Sequence, residues 1–459
     1  MPEKYSPLWS LTVAAAARLL AARKISPSDL VEAYLARIAE VDERVHSFIH
    51  VAAEGARVAA HRASDEIRAG RQISMLAGIP YAVKDNYDVA GLPATAGSRL
   101  RLDNVPTKDA ALVRDLTQAG AVLMGKLSTW EYGTGNGGEY FDLPFPPARN
   151  PWNLERFTGG SSTGAGAGVA AGTIAFALGS DTTGSVRLPA AACGLAGMIM
   201  TPGRLSLDGI LPNCYSLDVP GPLTWTVEDL ALVLDALAKP TESYSRAITR
   251  PMKGLHIGVM RGPLGRFPGP DSAMAQAFEE GIAVLERGGG HLIDVALPMP
   301  VSDCFDVTRV IGPAESAAIH EAELRERAGD MGFALRDKLM AGSLVRAVDY
   351  IQAQRQRRLM ADAIDAVIRN FDAVVTYGPL HVAPRLGVEP EMTTFTVETC
   401  LTPFNLSAHP TMVQCTGFSP DGLPLSWQIV VNRHDEVTAL TIGAAYERAT
   451  PWRQVRPQL

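Results

Sequence analysis

The sequence predicts an α/β protein built around a mixed or largely parallel β-sheet. Three observations carry that expectation. Short apolar runs of strand length alternate along the chain with longer stretches of helical periodicity. Of 459 residues, 47% are hydrophobic and 20% charged, which is ample for a large core and too apolar for disorder. Residues 162–172 are almost all Gly and Ala, so a helix there has no amphipathic face and belongs deep against a sheet.

Taken in order, the N-terminal stretch MPEKYSPLWSLTVAAAARLLAARK is Ala-rich and interrupted by Arg18. It reads as an amphipathic helix rather than a secretory leader. Ser26-Pro27-Ser28-Asp29 marks a helix start, with a Ser N-cap, Pro at the first helical position and an acid in the first turn. That helix runs to about Val41. GIPYAVK at 78–84 is a strand ending in Lys84, residues 107–119 a helix closed by Gly120, and AVLMG the next strand. Thr226-Val227-Glu228-Asp229 opens another helix, and 240–253 is a surface connection. A strand-helix-strand unit occupies 254–296, followed by long helices near 304–326 and 345–369. Strands near 372–376, 411–416 and 424–431 come next, the last two joined across the turn Ser419-Pro420-Asp421-Gly422, and a helix at 435–448 ends the pattern. No repeat and no break in composition marks a boundary, so residues 1–459 are expected to form a single domain.

Several function classes are set aside on composition. A net charge of −7 leaves no basic footprint for nucleic acid or an anionic membrane. Arg355, Arg357 and Arg358 fall within a helical pattern and read as a solvated face. No uncharged run approaches the length of a membrane span. Five cysteines without regular spacing indicate neither disulfides nor zinc and fit a cytoplasmic protein. Gly120–Lys126 mimics a phosphate-binding loop, but Leu127 stands where a Ser or Thr is required. His46 and His50, four apart without HExxH, are assigned to a surface helix. Gly160-Ser161-Ser162-Thr163-Gly164 matches the G-x-S-x-G elbow and makes Ser162 a competing nucleophile. That reading needs a downstream His, and His409 and His434 lie in no distinctive context.

Three segments remain: GIPYAVKDN at 78–86, TGGSSTGAGAGVAAG at 158–172 and LGSDTTGSVRLPAAACGLAG at 178–197. A serine hydroxyl attacks only when a base takes its proton. With no well-placed His, a lysine must serve, and it does so only when burial keeps it neutral. With RNPW at 149–152 and SLDVPGPL at 216–223, the segments resemble the amidase signature family from about Gly78 to Pro222. The likeness returns in FNLSAHP at 404–410.

The resemblance implies a Ser–cis-Ser–Lys triad of Ser185 (nucleophile), Ser161 (relay, on a cis peptide) and Lys84 (base). The backbone N–H groups of Thr182, Thr183, Gly184 and Ser185 would form the oxyanion hole. Ser162, Asp181 and Arg187 would support it, the last two by pairing. Gly135 and Asn136 would line the acyl side. The implied fold is an α/β/α sandwich around a large mixed sheet, with a signature core at about 78–222 and a variable, pocket-forming helical region at about 226–370. Neither a metal nor an organic cofactor is implied. The expected partner is a small-molecule amide or carbamate, with no nucleic acid and no membrane, in a monomer or homodimer.

Departures from the family pattern sharpen the expectation. Thr163 and Thr183 stand where relatives mostly have Gly, the second beside the oxyanion hole. In GMIMTPGR at 197–204, Ile199 and Met200 replace a Lys-Pro pair. With Pro202, Leu205 and the run Pro144-Phe145-Pro146-Pro147, they predict an apolar entrance, place Ile199 and Met200 at the substrate, and favour an amidohydrolase for hydrophobic, aryl amides. The alternatives are a carbamate hydrolase with the same triad, an amidotransferase A-type subunit, and an inactive binding module. Intact Lys84, Ser161 and Ser185 argue against the last.

Overall fold

Eleven strands form one mixed sheet in the computed structural model, which describes residues 7–71, 74–135 and 142–459. They are β1 (Phe48–Val51), β2 (Pro80–Lys84), β3 (Val122–Leu127), β4 (Phe176–Asp181), β5 (Ala196–Ile199), β6 (Val219–Thr224), β7 (His256–Met260), β8 (His291–Val295), β9 (Ala373–Tyr377), β10 (Thr411–Phe418) and β11 (Pro424–Val431). Their spatial order is β1-β3-β2-β4-β6-β5-β10-β11-β9-β7-β8. Strands β3, β2 and β4 run parallel, as do β8, β7 and β9, while antiparallel pairs join these groups and fill the centre. Helices cover both faces. Strands β2, β9 and β11 are buried along their whole length and β4 everywhere but at Ser180, which explains why they read as apolar runs rather than alternating ones.

Register places the site. Tyr81, Ala82 and Val83 of β2 face Phe176, Ala177 and Leu178 of β4, so Lys84 and Ser180 emerge together at the carboxyl ends of adjacent parallel strands. The Gly/Ala helix, Thr163–Ala171, is buried at all nine positions and carries Ser161 and Ser162 immediately before its first turn. Its glycines are steric. A Cβ on Gly164 would lie 2.2 Å from the Ser47 carbonyl oxygen and 2.5 Å from the Ser128 nitrogen, both backbone atoms.

Most expected elements are present, and the differences have physical causes. The helix opened by Ser26 carries a reciprocal capping box with Asp29 and continues to Val45. His46 closes it in a left-handed conformation and His50 lies on β1, so the two are not neighbours on a surface helix. The helix expected at 304–326 is two, Val301–Ile319 and Glu321–Arg327, divided at His320. A helix at Phe333–Ser343 went unforeseen because its apolar positions, Phe333 and Met340 among them, are partly exposed and blur the period. The 240–253 connection holds a short helix, Tyr244–Ala247, and buries Tyr244, Ala247 and Met252. Of the three arginines, Arg355 and Arg358 are exposed, but Arg357 donates to the carbonyls of Leu406 and Ser216. All five cysteines are buried and unpaired. Among the described residues no helix is long and apolar enough to cross a membrane.

Gly164→Ala should therefore destabilise the protein, although Ala is the better helix former by about 1 kcal/mol. Forcing a methyl into backbone costs on the order of 1–3 kcal/mol beyond that gain. A lowered midpoint in urea denaturation is the expected result, and an unchanged or raised midpoint would contradict the packing described.

Candidate active site

Lys84 is the last residue of β2 and is fully buried. Its Nζ lies 2.7 Å from Ser161 Oγ, 3.0 Å from Ser180 Oγ and 3.4 Å from the Ser180 carbonyl oxygen. Among the described residues no carboxylate forms an ion pair with it. Burial lowers its pKa to about 7, against the opposing pull of Asp218 and Asp181. The contrast with Lys126 is instructive. That lysine is equally buried on the neighbouring β3, but it is paired with Asp85 at 2.8 Å. Lys84 is thus the buried lysine placed to exist as a free amine next to a serine hydroxyl.

Ser161 follows a cis peptide bond from Gly160. Ser162 donates its N–H to the Ser185 carbonyl at 3.3 Å and its hydroxyl to the Ser180 carbonyl at 3.2 Å. This ties the serine-rich turn to the end of β4 and to the next loop. Ser162 is fully buried with its hydroxyl so engaged, a poor position for attack on a diffusing substrate.

The loop from Asp181 to Arg187 is organised by one carboxylate. Asp181 accepts from the backbone N–H groups of Gly184 (2.7 Å), Val186 (3.0 Å) and Arg187 (3.3 Å). The Arg187 guanidinium binds it bidentately, at 3.1 Å through both Nε and Nη2, and Asn405 Nδ2 donates at 2.9 Å. Arg187 also donates to the Leu401 carbonyl (2.9 Å) and to Asn405 Oδ1. The expected Asp181–Arg187 pair is present, and both members are fully buried. Desolvation raises the Asp181 pKa and is outweighed by Arg187 and the hydrogen bonds, so its carboxyl stays below the usual range. One expectation is corrected here. The Gly184 N–H is spent on Asp181 and is not available to an oxyanion. The N–H groups of Thr182, Thr183 and Ser185 donate to no described residue.

A cavity of about 110 Å³ opens at this loop. Thr182, Thr183, Gly184 and Ser185 line it, with Gly133, Gly135 and Gly160 beside them. The Ser185 side chain is only half-buried. The far wall comes from the helix Val301–Ile319, through Phe305, Thr308, Arg309, Gly312 and Pro313, and from Lys338 on the helix Phe333–Ser343. Lys338 donates to Asn213 Oδ1 (2.5 Å) and Thr134 Oγ1 (3.2 Å). Asn213 in turn donates to Thr182 Oγ1 (3.1 Å), which donates to Asp218 (2.6 Å). Burial lowers the Lys338 pKa to about 8, partly countered by Cys214 and Asp218, so it is mostly protonated at neutral pH. Neither Lys338 nor Asn213 stood out in the sequence. Each lies outside the family's motifs, and only the fold brings them to the loop.

Two substrate-side expectations fail and one lies out of reach. Ile199 ends β5, Met200 follows it, and both are fully buried in the main core away from the cavity. Their apolar character packs the sheet and shapes no entrance. Leu205 is in the same core, and Phe145 and Pro146 border a separate, smaller hollow. Asn136 lies outside the described residues, whereas Gly135 does line the cavity. No histidine lines it. His409 is buried against Ser407, and burial together with Arg433 lowers its pKa to about 4. Among the described residues no group of three His, Cys, Asp or Glu could hold a metal ion.

Comparison with known proteins gives a consistent result. The family model described as Amidase matches residues 29–440. The A-type subunit of a glutamyl-tRNA(Gln) amidotransferase from Chloroflexus aggregans is 35% identical over 98% of each chain. A solved chain from a vestigial protein complex, described as revealing the evolutionary origins of an s-triazine catabolic enzyme, superposes with a TM-score of 0.89 at 29% identity. It covers 98% of this chain and all of its own. A peptide amidase in complex with the competitive inhibitor chymostatin has a TM-score of 0.85 at 25% identity, with full coverage of both chains.

If Lys84 acts as a neutral base, kcat/KM on an amide should rise with pH through a midpoint near 7, because the protonated amine cannot accept a proton. Ser185→Ala and Ser161→Ala should each cut kcat by about a thousandfold or more. A flat profile between pH 6 and 8, or a Ser185→Ala variant with more than a few per cent of the original rate, would place the chemistry elsewhere.

Proposed function

The chain belongs to the amidase signature family, and on that premise we propose that it cleaves the C–N bond of a small polar amide through an acyl-enzyme on Ser185. The observation that carries this reading is the convergence on one cavity. Ser185 lines it, the backbone N–H groups of Thr182, Thr183 and Ser185 have no partner among the described residues, and Gly133 of the lining adjoins the buried Lys84–Ser161 pair. Ser185 attacks the carbonyl carbon as its proton passes to Ser161 and the Ser161 proton passes to Lys84. The tetrahedral oxyanion takes hydrogen bonds from the N–H groups of Thr182, Thr183 and Ser185, which are fixed before the reaction begins. The amine leaves with the proton returned through the same two groups, and water then clears the acyl-enzyme. This relay needs no strong nucleophile at rest, only a base whose pKa is close to the working pH.

The polarity of the substrate follows from the charged side chains in the cavity lining. Lys338 and Arg309 both line the cavity, and an ammonium has three donors, of which Lys338 uses two on Asn213 and Thr134. Among the described residues nothing takes the third donor, which is open to a carbonyl or carboxylate on the substrate. Ile199 and Met200 lie in the core, and the apolar part of the lining comes instead from Trp130, Leu188, Phe305 and Leu401.

A second reading is supported by the relatives. An A-type subunit of an amidotransferase would use the same chemistry on glutamine and pass ammonia to a partner protein. The 35% identity over 98% of a chain of that description favours it. The apolar 199–200 pair, whose departure from the family pattern favoured a hydrolase for aryl amides, does not line the cavity. Ammonia release from glutamine by the purified chain, alone and after affinity capture of partners from its own cells, separates the two readings.

Lys338→Met provides the test of substrate polarity. Losing one charge-assisted hydrogen bond costs on the order of 2 kcal/mol. KM for a carboxylate-bearing amide should therefore rise by about tenfold or more, while KM for a neutral amide stays within about twofold. Equal changes for both, or an anilide preferred over every polar amide by tenfold, would remove the polar-substrate proposal and leave the nucleophile untouched.

A further inference from the structure

Ser180 lies outside the triad that the resemblance implies, yet it meets Lys84 through two atoms where Ser161 does so through one. Its hydroxyl is 3.0 Å from Lys84 Nζ and its carbonyl oxygen 3.4 Å. The same hydroxyl receives Asn86 Nδ2 at 3.0 Å, and the same carbonyl receives Ser162 Oγ at 3.2 Å. Asn86 is itself buried, two residues beyond Lys84, and its backbone carbonyl is held by the Leu211 N–H at 2.8 Å. Ser180 is therefore fixed by the chain on both sides of the lysine.

Donors and lone pairs give this arrangement a purpose. A neutral amine has two N–H bonds and one lone pair. A carbonyl oxygen carries no proton, so the contact with the Ser180 carbonyl can only use an N–H of Lys84. The Ser180 hydroxyl oxygen, with Asn86 donating to one of its lone pairs, offers the other to the second N–H. The direction left at Nζ is the one toward Ser161 Oγ, the shortest of the three contacts. After proton transfer the ammonium has three N–H bonds and three acceptors already in place.

We propose that Ser180, held by Asn86, is a positioning residue that occupies both N–H bonds of neutral Lys84 and so aims its lone pair at Ser161. The inference rests on the reading of Lys84 as base. It adds a requirement that the triad alone does not contain: the orientation of the amine, separate from its protonation. Removing the Ser180 hydroxyl releases one N–H and lets the amine rotate. It also removes an acceptor that favours the charged form, which moves the lysine toward deprotonation at lower pH. The other charged groups around Lys84 stay as they are. Asp181 follows Ser180 on β4, Asp218 adjoins β6, and the Asp85–Lys126 pair spans β2 and β3.

The experiment compares Ser180→Ala, Ser180→Thr and Asn86→Ala with the wild-type enzyme in full pH–rate profiles on one amide, with thermal melting as a check on folding. Ser180→Ala is expected to lower kcat on the alkaline plateau by 10- to 100-fold with KM within about threefold. The midpoint of the rising limb should shift to lower pH by half a unit or more. Ser180→Thr, which keeps the hydroxyl, should restore kcat to within about threefold, and Asn86→Ala should fall between. A kcat loss with an unmoved midpoint, or one that Thr does not rescue, assigns Ser180 a packing role and overturns the proposal. Lys84→Ala and Ser185→Ala run alongside: activity retained in those variants defeats the parent reading. Activity lost in them with Ser180→Ala silent defeats only this one.

Discussion

An amine sealed inside a protein with only hydroxyls and a carbonyl around it is pushed toward its neutral form, and the rest of this site depends on that constraint. Holding Lys84 protonated would leave an ammonium in a dry interior with only hydroxyls and one carbonyl around it. A fall in pKa from 10.5 to about 7 corresponds to about 5 kcal/mol of added preference for the neutral form. The neighbouring β3 solves the same problem the other way, by giving Lys126 a carboxylate and leaving it a structural ion pair. Burial pulls both lysines toward the neutral form, and only at Lys126 does a paired carboxylate, Asp85, oppose it directly.

The second requirement is a loop held in one conformation before any substrate arrives. Asp181 and Arg187 supply it. The carboxylate gathers three N–H groups, the guanidinium and Asn405 onto itself, and the guanidinium reaches the Leu401 carbonyl. The N–H groups left over, on Thr182, Thr183 and Ser185, adjoin the cavity. A buried ion pair of this kind adds little net stability relative to an apolar pair of the same shape. Its value lies in the conformation it enforces. The Thr182–Asp218 and Asn213–Lys338 hydrogen bonds extend that order from the loop to the opposite wall.

Most of this was legible in the sequence, for reasons of chemistry. Lys84 ends a strand pattern, Ser161 and Ser185 sit in Gly- and Thr-rich turns, and Asp181 and Arg187 flank the second. Each residue is recognisable because the motif around it resembles the family pattern. The Gly/Ala helix was legible too, since a helix with no polar face can only be buried. The substrate side was not. Ile199 and Met200 resemble an entrance because they break a family pattern close to the nucleophile in sequence. β5 turns them into the sheet, where apolar residues need no other explanation. Lys338 was invisible because it belongs to a helix whose apolar positions are partly exposed, and its meaning comes from Asn213, 125 residues away in the chain. Gly184 passes for an oxyanion donor in the sequence because a sequence cannot say which N–H groups a carboxylate has already taken.

The state of Lys84 itself is open to direct observation in the resting enzyme, without any substrate. The measurement is an NMR titration of the enzyme labelled with ¹³C at lysine Cε, with Lys84→Met to assign the resonance. One lysine signal, absent from the variant, is expected to titrate near pH 7, apart from the Lys338 signal near 8. A Lys84 signal that stays in the protonated position up to pH 9 would contradict the claim that this lysine is the base.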